Sequence, residues 1–205
     1  MNGQKSKKVG LFGGTFDPVH YGHIHLALAL QSAHGLDEIW FMPTHLNPLK
    51  RSLSAPASAE QRLAMVKLAT ASYPAFKVEE LELKRPPPSY TIDSVKILIE
   101  REPQVQFYLM LGADAVETLP HWHCIDELVN LVPLLIGSRL GEWPLDMDTS
   151  SSLYQAVIKG FTQIPLYDVS ATELRFRFAQ HLPCHHLIPP LVYDYIEQHG
   201  LYRVK

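Results

Sequence analysis

The chain has 205 residues, of which 46% are hydrophobic and 19% charged, and its formal net charge is −3. This composition excludes a disordered chain and argues against a broad basic surface for nucleic acid. Two cysteines cannot form a disulfide framework, and the longest apolar stretch, residues 128–136, is too short to span a membrane. We therefore expect a cytoplasmic protein with neither nucleic-acid nor membrane partners. Its length suits one domain, residues 1–205.

Short apolar strands alternate with helical patterns along the chain. This order is typical of an α/β, Rossmann-like fold, with a parallel sheet, helices on both faces and a short C-terminal helical tail over about residues 170–205. In the first half, Ser58 and Gln61 have the spacing of a capping box that begins a helix. The elements predicted there are strands at 9–12, 39–42 and 76–83, and helices at about 22–33, 58–72 and 91–101.

The second half begins with a strand that is almost continuously apolar, which indicates a place in the middle of a parallel sheet. Ser170 and Glu173 form a second capping-box pattern, and Gly200 is expected in the C′ position of the last helix. The elements predicted there are strands at 105–111, 134–136 and 164–169, a loop at 141–152, and helices at 125–131, from 170 onward and from 189 to 200.

The glycine turn, residues 13–23 (GGTFDPVHYGH), lies between the first strand and the first helix. Two glycines let the backbone approach a ligand, and the helix that follows offers unpaired N–H groups and the positive end of its dipole to an anion. It is not a Walker P-loop, because it lacks Gly-Lys-Ser/Thr, and it lacks the third glycine of the dinucleotide fingerprint. The segment therefore predicts a phosphate site of a different kind.

His20 and His23 stand three residues apart at the start of this helix, on one side of it, and Gly22 leaves space beside them. Two imidazoles directed at one point suit a polyphosphate, because each donates a hydrogen bond and either can carry a positive charge. A zinc site that includes His25 and a pair of merely solvated histidines are the alternatives. The crowded segment 181–186 (HLPCHH) is a rival metal candidate, but its ligands lack the paired spacing of a zinc site, and we predict no protein-only metal site.

The glycine turn resembles the signature of the nucleotidylyltransferase superfamily, whose (His/Thr)-x-Gly-His element is His20-Tyr21-Gly22-His23 here. The rest of the chain is similar to the bacterial nicotinate-nucleotide adenylyltransferase family in three further places. These are the run PSYTID at 88–93, the run LGAD at 111–114 followed by Trp122, and the last capping box.

The resemblance implies that His20 and His23 are catalytic and that ATP is bound by the glycine turn and three other segments. In the loop after the second strand, the family has a basic residue that faces the ATP phosphates, usually in a Pro-Pro-His-Lys/Arg run. This chain has NPLK at 47–50, so Leu49 replaces the histidine before Lys50. In the last motif, Ala171 replaces a serine. The residues expected to bind ATP are Gly13, Gly14, Thr15, Phe16, Lys50, Gly112, Asp114, Ser170, Thr172 and Arg175.

For the mononucleotide, the resemblance places Trp122 over the nicotinate ring, with backbone groups of Thr91, Ile92 and His123 lining the pocket. The reaction it implies joins ATP to nicotinate mononucleotide, giving nicotinate adenine dinucleotide and pyrophosphate in NAD biosynthesis, with Mg²⁺ bound mainly through ATP. Adenylyltransferases for nicotinamide mononucleotide or phosphopantetheine, and a non-catalytic nucleotide-binding module, are the alternatives. The sequence leaves the oligomeric state open, a homo-oligomer included.

Overall fold

The computed structural model describes residues 6–45, 56–138, 148–165 and 167–203. Within these ranges the strands are β1 (Lys7–Gly14), β2 (Glu38–Pro43), β3 (Phe76–Val78), β4 (Val105–Gly112), β5 (Leu134–Ser138) and β6 (Phe161–Gln163). The α-helices are α1 (Tyr21–His34), α2 (Ala59–Thr70), α3 (Thr91–Arg101), α4 (Ile125–Leu131), α5 (Ser152–Gly160), α6 (Ala171–Ala179) and α7 (Pro190–Gln198). Two 3-10 helices occupy Ala113–His121 and His185–Leu187.

The strands form one parallel sheet in the order β3-β2-β1-β4-β5-β6, which confirms the predicted Rossmann-like α/β class. Val9 of β1 pairs with Phe107 of β4, and Leu109 of β4 pairs with Leu134 of β5. The chain order reverses between β1 and β4. In such sheets, ligands bind outside the carboxyl ends of the strands at this reversal, where β1 and β4 both end in glycine.

Contacts divide the chain into two compact units, each discontinuous in sequence. The described part of the first comprises residues 6–13, 27–40, 90–138 and 148–165, and its core includes Val9, Leu109 and Ile136. The described part of the second comprises residues 14–26, 41–45, 56–89 and 167–203. Phe41 and Met65 are buried in this second unit. None of the helices in the described ranges combines the length and the apolarity needed to cross a membrane.

Helix ends follow the local signals in the sequence. The Ser58 capping box is complete, because the Gln61 N–H donates to Ser58 Oγ at 3.2 Å and the Ser58 N–H donates to Gln61 Oε1 at 2.8 Å. At the second box, Ser170 Oγ accepts from the Glu173 N–H at 3.1 Å. The bounds of α3 and α4 are those predicted.

Four local predictions were wrong or incomplete. The strand predicted at 76–83 ends at Val78, because Glu79 turns its carboxylate to the Leu81 N–H at 2.9 Å and Glu80 begins a turn. The last strand is Phe161–Gln163 and not 164–169, since Pro165 lacks the N–H that would continue the ladder. The predictions omitted α5, which begins after the cap of Ser151, and also the 3-10 helix Ala113–His121.

Candidate active site

The glycine turn begins at the end of β1 with two glycines in different surroundings. A Cβ built at Gly13 meets no atom within 4 Å, so this stretch of backbone is open on that side. A Cβ at Gly14 would lie 3.0 Å from the ring of Phe16. Phe16 has a φ of 51°, which is unusual for a bulky side chain, and its buried ring packs on Phe41 and His23 at centroid distances of 5.7 and 5.0 Å. Packing thus holds the turn in a strained conformation.

His20 and His23 lie together at the start of α1, as predicted. Their ring centroids are 3.8 Å apart, and the backbone N–H of His20 donates to Nδ1 of His23 at 3.2 Å. Gly22 leaves room for them, because a Cβ there would lie 3.0 Å from both Cε1 and Nδ1 of His20, so that ring would have to move by a few tenths of an ångström. The pair is therefore a packed unit and not two independent surface side chains.

Both imidazoles are neutral at pH 7. Burial lowers the pKa of His20, which is only 6% exposed, to about 4. Burial, and then the nearby His20, lower the pKa of His23 well below its usual value. Because Nδ1 of neutral His23 accepts a hydrogen bond, its proton resides on Nε2, and this nitrogen is a donor. Nδ1 of His20 has no hydrogen-bond partner among the described residues.

Arg62 of α2 fastens the glycine turn to the segment after β2. Its guanidinium, only 2% exposed, donates to the carbonyl oxygens of Thr15 at 2.8 Å, Thr44 at 2.7 Å and His45 at 3.1 Å. The N–H of Thr44 in turn donates to the carbonyl of Gly14 at 2.9 Å. Although burial lowers the pKa of Arg62, an arginine stays charged at neutral pH. One buried cation thus positions two backbone segments.

Asp17 forms a second anchor of the turn. Arg175 donates to its backbone carbonyl at 2.8 Å, and the hydroxyl of Tyr202 donates to its carboxylate oxygen Oδ1 at 2.6 Å. The Asp17 side chain is buried, and burial raises the pKa of its carboxyl against the opposing effects of the Tyr202 hydrogen bond and the charges of Arg175 and Arg62. The turn is consequently held from α2, from α6 and from the chain beyond α7.

The start of α6 carries the predicted cap and cation. Ser170 caps the helix, and the guanidinium of Arg175 reaches back to Oγ1 of Thr172 at 3.1 Å as well as to the carbonyl of Asp17. Thr172 is exposed, so its hydroxyl is accessible to a ligand. Arg177 pairs with Glu173 at 2.7 Å and donates to the Pro183 carbonyl, so it has partners of its own on the helix surface.

The other predicted site residues belong to the first unit. Gly112 ends β4, and Asp114 is exposed in the first turn of the 3-10 helix that follows. Trp122 is half-buried, and its indole Nε1–H donates to Oγ1 of Thr118 at 3.3 Å. A half-buried tryptophan whose ring is held by a hydrogen bond can stack against an aromatic ring of a ligand, whereas a fully buried tryptophan cannot.

Next to Trp122, the exposed ring of His123 lies 4.5 Å from the ring of Tyr90, the residue that precedes α3. Thr91 begins α3 and is half-buried, whereas the side chain of Ile92 belongs to the core. Ile92 can therefore contribute to a pocket only through its backbone, which agrees with the form of the prediction.

Comparison with known proteins identifies the family. A model of cytidylyltransferase-like proteins matches residues 11–177. The nicotinate-nucleotide adenylyltransferase of Bacillus subtilis (strain 168) is 42% identical over 196 residues, which cover 96% of this chain and 98% of that protein. The chain belongs to the nicotinate-nucleotide adenylyltransferase family. The resemblance read from the motifs is thereby confirmed.

Solved structures of this family have the same fold. Nicotinic acid mononucleotide adenylyltransferase of Plasmodium falciparum, complexed with NaAD, aligns with a TM-score of 0.76 and 22% identity, covering 96% of this chain and 97% of that one. The same Plasmodium falciparum protein complexed with APC aligns with a TM-score of 0.73 over the same shares of both chains.

In this member of the nicotinate-nucleotide adenylyltransferase family, the sequence motifs predicted three parts of the candidate site: the His20–His23 pair, the cap of α6 and the region of Trp122. The Lys50 prediction, with its neighbour Leu49, lies outside the described residues. Arg62, Asp17 and Tyr202 were missed. A charged residue at position 62, on the same helix as the buried Met65, was a signal available for Arg62. Nothing in the sequence connects Tyr202 with Asp17.

Proposed function

We propose that this protein transfers AMP from ATP to nicotinate mononucleotide, releasing pyrophosphate and forming nicotinate adenine dinucleotide. The observation that carries the proposal is the pair of neutral imidazoles at the start of α1, the buried His20 and the half-buried His23, whose rings lie 3.8 Å apart. The family relationship supports the choice of substrates, since the Bacillus subtilis relative is a nicotinate-nucleotide adenylyltransferase.

In the proposed reaction, a phosphate oxygen of the mononucleotide attacks the α-phosphorus of ATP in line. A new P–O bond forms while the bond from the α-phosphorus to the bridging oxygen breaks, and pyrophosphate leaves with that electron pair. Transfers of this type proceed by positioning and by electrostatic stabilisation. His23, whose Nε2–H is a donor, would stabilise the charge that grows on the departing pyrophosphate, and a donor already in place needs no reorganisation.

The cap of α6 supports a phosphate contact. Ser170 leaves the first N–H groups of the helix near Arg175, and arginine offers a planar, bidentate donor. With the glycine turn and Asp114, we assign this element to ATP. Lys50 is proposed to add a cation on the same substrate.

We also propose that Mg²⁺ accompanies ATP. In the part of the chain that the structure describes, no group of three or more His, Cys, Asp or Glu side chains could hold a metal ion. Mg²⁺ with nucleotides is usually held chiefly by phosphate oxygens and water, and we propose the same mode of binding for this protein. Such an ion would neutralise part of the phosphate charge, while His20 and His23 supply neutral donors.

For the pyridine ring, we assign stacking to Trp122 and hydrogen bonding to backbone groups near Thr91, Ile92 and His123. Nicotinate carries a carboxylate, which only accepts hydrogen bonds, whereas nicotinamide carries an amide with two N–H donors. Backbone N–H groups would satisfy the carboxylate and oppose the amide. The acidic residues nearest to Trp122 along the chain, Glu117 and Asp126, are exposed, so neither is a buried acceptor reserved for an amide.

The test is a pyrophosphate-release assay with saturating ATP and Mg²⁺ and one acceptor at a time. Nicotinate mononucleotide is expected to give a kcat/KM at least a hundredfold above that for nicotinamide mononucleotide, since sites that hydrogen-bond one group discriminate strongly against another. Equal values or a preference for the amide would reject the named substrate. Turnover with phosphopantetheine instead would place the chain elsewhere in the superfamily, and binding of ATP with no turnover would indicate a non-catalytic module.

A further inference from the structure

The hydrogen bond between Tyr202 and Asp17 joins residues 185 positions apart in the chain, at 2.6 Å. Asp17 is only 4% exposed, and it lies inside the glycine turn, three residues before His20. The sequence motifs assign no role to either residue. A buried carboxylate that accepts from a phenol is a strong, directional contact.

The end of α7 places Tyr202. Gly200 has a φ of 59°, its N–H donates to the carbonyl of Glu197 at 3.2 Å, and the N–H of Leu201 donates to the carbonyl of Ile196 at 3.0 Å. These two bonds form a Schellman motif, which turns the chain back at a glycine. Tyr202 itself has a φ of 64°, which a residue with a side chain adopts only where its surroundings hold it. The phenol is thus presented to Asp17 by a fixed backbone.

The other end of this contact is equally constrained. Arg175 donates to the carbonyl of Asp17, so the residue is held at its backbone and at its side chain. The preceding residue, Phe16, has a positive φ, and every residue from Asp17 to His20 is buried. A packed segment has little room to absorb a displacement, so a shift at Asp17 would move the His20 ring.

The charged groups that face Asp17 are Arg175 of α6, Arg62 of α2 and the phenol of Tyr202. Burial raises the pKa of the Asp17 carboxyl, and the Tyr202 hydrogen bond is the strongest of the opposing influences. The pKa of the phenol is raised, first by burial and then by Asp17, so Tyr202 remains a donor at any physiological pH.

We propose that Tyr202 is a positioning residue for the reaction: by holding the Asp17 carboxylate, it fixes the glycine turn so that His20 and His23 meet the phosphates. This inference rests on the proposed function for its kinetic readout. Tyr202 itself donates to Asp17, and its effect on the reaction passes through the turn.

The test compares Tyr202→Phe with Tyr193→Phe. Both tyrosine rings lie near Phe178, at 6.0 and 5.6 Å, and each change removes one hydroxyl, so Tyr193→Phe is a matched control. Tyr202→Phe is expected to lower kcat by about tenfold to a hundredfold, as small misplacements of reacting groups do, and to leave the mononucleotide KM within about twofold. Tyr193→Phe should keep wild-type kcat.

A second variant separates positioning from a general loss of structure. The amide oxygen of Asp17→Asn still accepts from Tyr202, so this variant should lose less activity than Tyr202→Phe. A Tyr202→Phe enzyme with wild-type kcat would overturn the proposal.

Imidazole ¹H–¹⁵N spectra keep this test independent of turnover. Tyr202→Phe should shift the ring resonances of His20 and His23, and Tyr193→Phe should leave them in place. Unshifted resonances in Tyr202→Phe would overturn the positioning role even in an active enzyme. If the wild-type protein released no pyrophosphate with nicotinate mononucleotide, the proposed function would fail, and the spectra would still decide whether Tyr202 positions the turn.

Discussion

The glycine turn and the segment around Trp122 are both assigned to substrate, and they are built in opposite ways. The turn is buried from Phe16 to His20 and is held by hydrogen bonds from Arg62, Arg175 and Tyr202. Around Trp122, the hydrogen bond to Thr118 and the ring contact of His123 with Tyr90 involve exposed side chains. A region that stabilises developing charge gains from rigid donors, whereas a stacking surface needs only a flat face. Substitutions in the turn should therefore affect kcat, and those near Trp122 should affect the mononucleotide KM.

The largest effect is expected from His23→Ala. Loss of a donor to charge that develops in the transition state typically costs about 2.7–4 kcal/mol, so kcat should fall about 10²–10³-fold while ATP binding changes little. Steady-state kinetics with a folded variant measure this. His25→Ala, two residues further along α1, is the matched control and should retain activity. If His23→Ala kept near wild-type turnover, the expectation that substitutions in the glycine turn lower kcat would be wrong.

Removal of the buried cation tests the rigidity of the turn directly. Arg62→Met leaves the carbonyls of Thr15, Thr44 and His45 without their donor, and we expect the free energy of unfolding to fall by about 3 kcal/mol. Arg62→Lys should recover only part of this, because one ammonium cannot reproduce a planar fork. Urea unfolding at pH 7 provides the measurement. If Arg62→Met lowered the free energy of unfolding by less than about 0.5 kcal/mol, the stability of the turn would not depend on the hydrogen bonds of Arg62.

Acid should weaken the turn through His20. Its pKa is about 4 in the folded protein, against about 6.5 when unfolded, so the unfolded chain binds more protons between these values and stability falls as the pH falls through this window. For His20 alone the loss is about 2 kcal/mol between pH 7 and pH 5. The lowered pKa of His23 acts in the same direction, and the raised pKa of Asp17 acts in the opposite one.

The comparison that isolates His20 uses His20→Gln. Urea unfolding at pH 7 and pH 5 gives, for each protein, the change in the free energy of unfolding between the two pH values. Asp17 contributes to this change in both proteins, so its contribution cancels in the comparison. The variant should lose about 2 kcal/mol less than the wild type over this interval. If both proteins lost the same free energy of unfolding, the pKa of His20 would not be lowered in the folded protein.

The smallest effect is expected from Trp122→Ala. Stacking of a base on an aromatic ring contributes about 1–3 kcal/mol, and the half-exposed ring should lie near the lower limit, which corresponds to about a tenfold rise in the mononucleotide KM. Trp122→Phe keeps a flat face and should recover most of the affinity. An increase in the KM for ATP, with none in the KM for the mononucleotide, would show that Trp122 contacts ATP and that our assignment of this segment to the mononucleotide is wrong.

Local signals in the sequence predicted what depends on neighbours along the chain. The caps of α2 and α6, the bounds of α3 and α4 and the histidine pair all involve residues within a few positions of one another. The short β3 and β6, whose bounds were predicted wrongly, are edge strands of the sheet, and α5, which begins after the cap of Ser151, was omitted from the predictions.

The contacts that fix the site lie beyond such signals. Arg62 and Tyr202 act on the glycine turn from distant parts of the chain. The charge of Arg62 on the same helix as the buried Met65 was a local signal, but it does not say which groups Arg62 contacts, and no local signal marks Tyr202. The resemblance to a family picked out the groups that we propose to contact substrate. It said nothing of the side chains that hold them in place.

Gly22 has a consequence for how this site can vary. A Cβ at this position would lie 3.0 Å from the His20 ring and 3.3 Å from the carbonyl oxygen of Tyr167, so a methyl group fits only if a neighbour moves by a few tenths of an ångström. The side chain nearest to it is the imidazole that we propose to meet the phosphates. Alanine at position 22 would therefore act on the placement of His20, and a tolerance for alanine there depends on how far that ring can move.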